Sequence, residues 1–537
     1  VKSITPDESP PFARPLQGPA QLAVALLIAL ALLTAYRFIS VSVLQLPLHY
    51  DEAQYLGWSL APDFGYFSKP PMIAWVIGLA RGVCGPSEAC VRAPAALACA
   101  LAALFAAAAA RVMADDQSSG SVRTADRPGT VSDPSLPARS ALWTGLTVAT
   151  LPLVSFYGSF ATTDSLLLMC WCAALWTFAR ATVQPQRPQL RWWLATGLVC
   201  GLGLMSKYTM GVFALSALIW LLTDPGRRHL LRTPGPWLCA GIAALVFAPN
   251  VLWNLKHGFA TVQHTAEISR AAASATGGLA AWLEFLFAQP LLLGAGFALA
   301  AGAALLKSGA HPSGRSLEIV RFGWTFCWPM LAVISLQAWN SRAHANWAAP
   351  ALAGAAIAAA GWLAAGHRRR AFAWAMALNL LVLVAVAHGP VWMKLTGLDA
   401  RYPRNPWSRL AGWPEVGAAV KKVLQAEPQL QVLSDDRRVL SELIAYAGPA
   451  AFPAWAFSPD LRRTDHYRLL YNIAERASPE RDGPYLFVGQ SGQYDEARLR
   501  ASFREFKPMG TVVAPVDGRP GTQLDLIRVQ GLITPAR

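Results

Sequence analysis

Two adjacent acids, Asp51 and Glu52, stand in "LPLHYDEAQYLGWSL" (46–60), directly after an almost uninterrupted apolar run that begins near Gln21. A carboxylate at a membrane surface can act as a general base, taking the proton of an acceptor hydroxyl as it attacks a lipid-linked substrate. It can equally end a helix or sit solvated. Asp164, in "ATTDS", is a further acid at the start of the run "DSLLLMCWCAALW". It can orient a cation or an acceptor hydroxyl, or it can cap the helix together with Thr163. Tyr55 and Tyr66 accompany the first acidic stretch, and "NSRAHANW" offers Arg342, His344 and Asn346 beside Trp347. Such hydrogen-bonding sets next to an aromatic ring bind sugars, although an interfacial tryptophan belt also explains Trp347.

Cations accompany these acids. Lys69 in "YFSKPP", Lys207 in "SKYTM", Lys256 and Arg270 in "LKHGFATVQHTAEISR", and Arg342 all lie in or near the polar motifs. Lysine and arginine stabilise charge that develops on a departing phosphate, so a phosphate-bearing substrate accounts for them as a group. Each alone reads equally as a solvated or headgroup-binding side chain. Arg37, inside the first apolar stretch, is expected to snorkel to the surface from the end of the first helix.

What positions these groups is a membrane. Of the 537 residues 54% are hydrophobic and only 14% charged, with mean hydropathy +0.33, which excludes an ordinary soluble protein of this size. On a template of about 20 mostly apolar residues per crossing, some eleven runs appear, near 18–37, 90–112, 141–158, 164–180, 192–206, 209–223, 237–254, 280–306, 322–339, 347–365 and 371–390. The net charge of +15 falls largely in alternate short loops, around Arg111–Arg139, Arg187, Arg227, Lys307–Arg321 and Arg368–Arg370. By the positive-inside rule these loops are cytoplasmic. The surplus therefore needs no nucleic-acid partner, and the polar motifs converge on the opposite face.

The expected organisation is a cytoplasmic tail (1–17), a polytopic α-helical membrane domain (18–390) whose first outer loop spans 41–89, and a soluble α/β domain (391–537) on the outer side. In that loop "PPMIAWVIGLARGV" is too short to cross and reads as an interfacial helix with Pro70 and Pro71 in its first turn. In the tail "LQVLSDD" and "PYLFVGQSG" read as buried strands, and "RVLSELIAYAG" and "DEARLRASFREF" as helices, the former stopped by Gly448. The eight cysteines show no metal-ligand spacing. Cys84 and Cys90 form a small disulfide loop if they face an oxidising compartment, and are otherwise free thiols.

"HYDEAQYLGWS", "YFSKPPMIAWVIGLARGVCGPSEACVRAPAAL", "TTDSLLL", "LGLMSKYTM" and "SRAHANWAAP" together resemble bacterial membrane glycosyltransferases of the GT-C superfamily. The likeness is greatest to the family of protein O-mannosyltransferases and the lipid A aminoarabinose transferase, and it covers roughly residues 20–365. It implies inverting transfer of a sugar from a polyisoprenyl (undecaprenyl) phosphate at the periplasmic face of the inner membrane. Asp51 would be the base, with Glu52 and Asp164 as companion acids. Lys69 would meet the donor phosphate, helped by Lys207 or Arg270, and Tyr55, Tyr66, Arg342, His344 and Asn346 would line the substrate. Where the aminoarabinose enzymes carry a Glu before the lysine this chain has Ser68, so the likeness names the chemistry better than the sugar. The expected partners are the lipid-linked donor, a lipid or glycan acceptor (lipid A or lipopolysaccharide first, secreted protein second) and membrane lipid. No cofactor or metal is required, because one or two cations neutralise a monophosphate leaving group, although three acids offer oxygen ligands for a hard cation. A non-enzymatic transporter or flippase is the rival from another class. It predicts charges at the bilayer midplane and a repeat in paired halves, neither of which is apparent.

Overall fold

The computed structural model describes residues 18–115, 133–183, 189–273, 278–307, 314–398, 410–476, 482–516 and 519–533. The expected tail 1–17 lies outside them.

The apolar runs form helices. Among the described residues seven helices are, by length and composition, able to cross a membrane: Pro19–Leu44 (α1), Glu88–Ala114, Thr163–Thr182, Pro234–Lys256, Glu318–Asn340, Ala345–Ala365 and Arg369–Ala387. Two further runs are bent helix pairs, turning by 119° after Thr223 and by 103° between Leu293 and Ala295, the latter around Gly294 at φ +90°. The remaining two of the eleven runs are a helix interrupted between Thr150 and Pro152 and the 17-residue helix Leu190–Ser206.

Small residues let these helices approach closely. A Cβ on Gly323 would stand 2.5 Å from the Gly354 carbonyl oxygen, and the alanines of Ala349–Ala365 are buried almost throughout. Helix α1 runs past Arg37 to Leu44, so that side chain does not snorkel. It is 2% exposed and donates to the Ala149 carbonyl at 2.5 Å, where the break before Pro152 leaves helix-end carbonyls without internal partners.

The segment after α1 holds two short helices, Tyr50–Trp58 (α2) and Met72–Cys84 (α3), before the long helix Glu88–Ala114 (α4). Pro71 is the N-cap of α3, so the two prolines expected in its first turn stand just before it, and Cys84 and Cys90 are joined by a disulfide.

The C-terminal domain carries a five-stranded sheet in the order β2-β1-β3-β5-β4, from Gln431–Ser434 (β1), Trp455–Ala456 (β2), Tyr485–Gln490 (β3), Phe503–Val516 (β4) and Arg519–Leu532 (β5). The first three strands are parallel, and β3, β5 and β4 pair antiparallel. Both expected strands are present, as is the helix Arg437–Tyr446, followed by Gly448 at φ +78°. The other expected helix is shorter than its pattern. It stops at Ser502, and Phe503, 3% exposed, opens β4 opposite Leu532. Strand pairing wins there over the local helical spacing.

The helix Arg437–Tyr446 docks on α2. The Tyr446 hydroxyl accepts from the Leu48 amide at 2.6 Å, and a Cβ on Gly57 would meet the Tyr467 hydroxyl at 3.4 Å. Helix α2 is thus held between the apolar helices and the C-terminal sheet domain.

Candidate active site

The start of α2 is over-determined. His49 N-caps it, its Nδ1 accepting from the Asp51 amide (3.3 Å) while its own amide donates to Glu52 Oε2 (3.0 Å), a reciprocal cap. Glu52, 2% exposed, also accepts from Arg92 Nε (2.9 Å), Arg92 Nη2 (2.7 Å) and the Ala161 amide (2.7 Å). Arg92 uses its remaining donors on the Leu46 and Pro47 carbonyls, at 2.8 Å each. Glu52, expected among the catalytic acids, is therefore a buried clamp with four hydrogen bonds. Its neighbour Asp51 points the other way, its side chain 44% exposed, with His49 Nδ1 at 3.7 Å and Arg437 Nη1 at 3.5 Å.

Three segments meet opposite Asp51. Asp164 lies in the first turn of Thr163–Thr182, yet its carboxylate does not cap that helix. It accepts from Lys207 Nζ at 2.7 Å and Asn346 Nδ2 at 3.1 Å. The Ser206 hydroxyl, donating to the Thr163 carbonyl at 3.0 Å, fixes the two helix ends together.

Lys69 completes the cluster from a tightly tethered loop. Asn250 Nδ2 donates to the Phe64 carbonyl (2.8 Å), Trp253 Nε1 to Asp63 Oδ2 (2.7 Å) and Thr261 Oγ1 to the Tyr66 carbonyl (2.9 Å). Among the described residues the Lys69 ammonium has no hydrogen-bond or ion-pair partner. Burial and the charge of Lys207 hold it below the ordinary lysine range, against the pull of Asp164 and Asp51. Lys69 thus lies within the fields of Lys207, Asp164, Asp51 and Arg437, which makes these five groups one charged cluster.

The other expected residues divide. The Tyr55 phenol lies among Asp51, Asp164 and Arg437, and burial first, then those acids, push it well above its usual range. His344 packs edge-on against Trp347. It is held below its usual value by burial and by Arg342, Lys207 and Lys69, with Glu284 opposing, so His344 lies within electrostatic reach of both lysines. Tyr66 does not join it. Its ring stacks on Trp58 at 4.4 Å, and its hydroxyl is occupied by the Trp58 carbonyl (3.0 Å) and the Asp63 amide (3.1 Å), so it supports the loop that carries Lys69. The side chain of Arg270 lies outside the described residues.

Three residues were missed by sequence reasoning. Arg92 had a signal, an arginine in the second turn of a long apolar helix. His264 sits against Phe67 and is held low by burial, Lys69 and Arg437. Arg437 reaches the pocket only because the C-terminal domain docks there, and "SDDRRVL" carries no sign of it. Among the described residues no three His, Cys, Asp or Glu side chains converge to hold a metal ion.

The fold as a whole, sheet domain included, is shared with solved structures of ArnT. The crystal structure of ArnT from Cupriavidus metallidurans bound to undecaprenyl phosphate superposes with a TM-score of 0.59 at 15% identity, over 96% of this chain and 99% of that one. The apo form of the same protein gives 0.55 at 15% identity, over 95% and 98%. In sequence, residues 131–253 match the dolichyl-phosphate-mannose-protein mannosyltransferase family. The chain is 33% identical over 314 residues to the lipid A galacturonosyltransferase RgtD of Rhizobium johnstonii, an alignment covering 58% of this chain and 60% of that relative's length. The resemblance read from the motifs is borne out.

Proposed function

We propose that the protein is an inverting glycosyltransferase that moves a sugar from a polyisoprenyl phosphate to an envelope acceptor. The observation that carries this reading is the Lys69 ammonium, which has no counter-ion among the described residues and lies within the field of the open carboxylate of Asp51. In the proposed step Asp51 takes the acceptor hydroxyl's proton as the oxygen bonds to the anomeric carbon. The bond from that carbon to the phosphate oxygen breaks, and the lipid leaves as a phosphate monoester beside Lys69. Glu52 and Asp164 are tied to Arg92 and Lys207, which leaves Asp51 the one open carboxylate of these three and favours a single displacement over a covalent intermediate. Asp164 would hold Lys207 toward the phosphate, and Arg342, His344, Asn346 and Tyr55 would border the sugar and acceptor. The reading needs no metal, because the cations present meet the leaving group's charge.

Lipid A or another lipopolysaccharide component is the proposed acceptor, supported by the name of RgtD, which also makes a uronic acid the first sugar to test. A secreted protein acceptor is the second reading, favoured by the family matched at 131–253. A periplasmic active face and outer C-terminal domain agree with the distribution of basic loops and with the disulfide after α3, which persists in an oxidising compartment. The experiment is mass spectrometry of lipid A, whole lipopolysaccharide and periplasmic glycoproteins from a deletion strain complemented with wild type or Asp51→Asn. One glycan mass should vanish in the deletion and return only with wild type. Full restoration by Asp51→Asn removes Asp51 as the base.

A further inference from the structure

Arg437 opens the helix Arg437–Tyr446, whose N-cap Asp436 accepts from the Arg438 amide at 2.8 Å. From this soluble-domain position it reaches into the membrane domain's pocket. Its Nη1 donates to Gln54 Oε1 at 2.7 Å and stands 3.5 Å from Asp51 Oδ1, and its guanidinium carbon lies 5.2 Å from the centre of the Tyr50 ring. Gln54 is 3% exposed, so the near edge of the fork is fixed. Among the described residues Nε and Nη2 have no acceptor, and the side chain is 38% exposed. The separation from Asp51 is too long for a hydrogen bond, which makes this an electrostatic partnership that either group can leave.

The charges explain why it should. In the resting pocket Lys207 pairs with Asp164, Arg437 faces Asp51, and Lys69 is left over to meet a donor phosphodiester, which carries one negative charge. Transfer moves a proton from the acceptor to Asp51 and the bonding electrons to the phosphate. Asp51 becomes neutral, and the departing monoester acquires a second negative charge. Lys69, beside a Lys207 already paired with Asp164, then faces two charges, while Arg437 has just lost its partner. Its field already reaches Lys69 and His264, so the same space is within its electrostatic reach.

Resting on the polyisoprenyl-phosphate reading, we propose that Arg437 is a catalytic residue supplied by the C-terminal domain, which pairs with ionised Asp51 before transfer and with the departing lipid phosphate after it. The soluble domain is then part of the active site.

The test uses the full chain in detergent and undecaprenyl phosphate itself as the probe, its affinity measured by titration for wild type, Asp51→Asn, Arg437→Gln and the double variant. Asp51→Asn mimics the neutral acid left after transfer, so it tightens the probe, and that gain is about tenfold larger with the arginine present than with it replaced, a coupling of the size seen between interacting side chains. Additive effects overturn the proposal. Arg437→Lys, which keeps the charge and the docking, retains most of the coupling, and a lysine variant that behaves as the glutamine one also overturns it. Lys69→Gln weakens the probe in every background. Failure of wild type to bind the probe at all sinks the donor reading itself, an outcome distinct from additivity.

Discussion

Glu52 and Arg92 lock α2 to α4 through hydrogen bonds of 2.9 and 2.7 Å with both side chains almost fully buried, and this lock turns the adjacent Asp51 into the pocket. Two neighbouring acids therefore separate into different roles. Removing one partner of a buried ion pair costs about 3–5 kcal/mol, so Arg92→Ala lowers the melting temperature of the detergent-solubilised protein sharply. Asp51→Asn leaves that temperature nearly unchanged and lowers transfer by about 100- to 10,000-fold, the range for a general base. A stable, inactive Arg92→Ala would reverse the assignment.

The Lys69 ammonium is charged under duress, because burial and Lys207 lower its proton affinity. A lowered lysine loses its proton as pH rises, before a free lysine does. Donor use that depends on this charge therefore falls on the alkaline side, at a pH below about 10.4, the free-lysine value. Lys69→Arg, always protonated, moves that decline to higher pH while reducing the rate elsewhere. A pH profile of kcat/KM for the donor decides it, and an unmoved alkaline limb assigns the titration to another group.

The loop beneath Lys69 leaves no room at Gly65. A Cβ there would stand 2.5 Å from the Trp253 ring and 3.0 Å from Asn250 Nδ2, atoms that also hold the loop through Asp63 and Phe64. Gly65→Ala forces the loop outward at about 1–3 kcal/mol of stability, and since Lys69 rides on it, donor KM rises severalfold. Steady-state kinetics beside a melting curve test this. An unchanged KM shows that Lys69 is positioned independently of that tether.

Much of this was legible in the chain. Uninterrupted apolar length gave the membrane helices, since a spanning segment leaves little choice of conformation. Asp51, Lys69, Asp164, Lys207 and Asn346 stood out because polar groups at the ends of apolar runs are rare without a reason. What the chain hid was direction and long-range contact. Nothing local distinguishes Glu52, turned to Arg92, from Asp51, turned to the pocket, because the choice rests on residues 40 positions away. Tyr66 looked like a substrate ligand and is a packing residue for the same reason. Arg437 sits 383 positions from Gln54, in a segment whose own pattern reads as an ordinary capped helix. The strand after Ser502 was hidden by the helical spacing of its first residues, which β5 overrides.

Metal dependence follows from the same geometry. Glu52 is consumed by Arg92, and Asp164 by Lys207 and Asn346, so the three acids do not face one another as a hard cation needs. Transfer assayed in detergent should keep its rate after dialysis against a chelator and gain nothing from added magnesium or manganese. Loss on chelation, restored by one metal, would overturn the metal-free step.

His466 makes the seam between the two domains sensitive to acid. It is 4% exposed, lies edge-on to Trp58 at 5.3 Å and Tyr66 at 5.4 Å, and its Nδ1 has no partner among the described residues. Burial, with His257 nearby, pushes its pKa down to about 3. Once the seam opens, the imidazole returns to its free value near 6.5. Between these values the open state binds a proton that the docked state refuses, so docking weakens as pH falls from about 6.5 toward 3. The raised acids Glu442 and Asp465 act in the opposite sense, so the decisive quantity is a difference between proteins rather than one curve. His466→Phe keeps an aromatic ring in the seam and deletes the titration. Its melting temperature should fall less steeply than wild type's between about pH 7 and pH 4, and parallel curves for the two proteins would remove His466 as the cause.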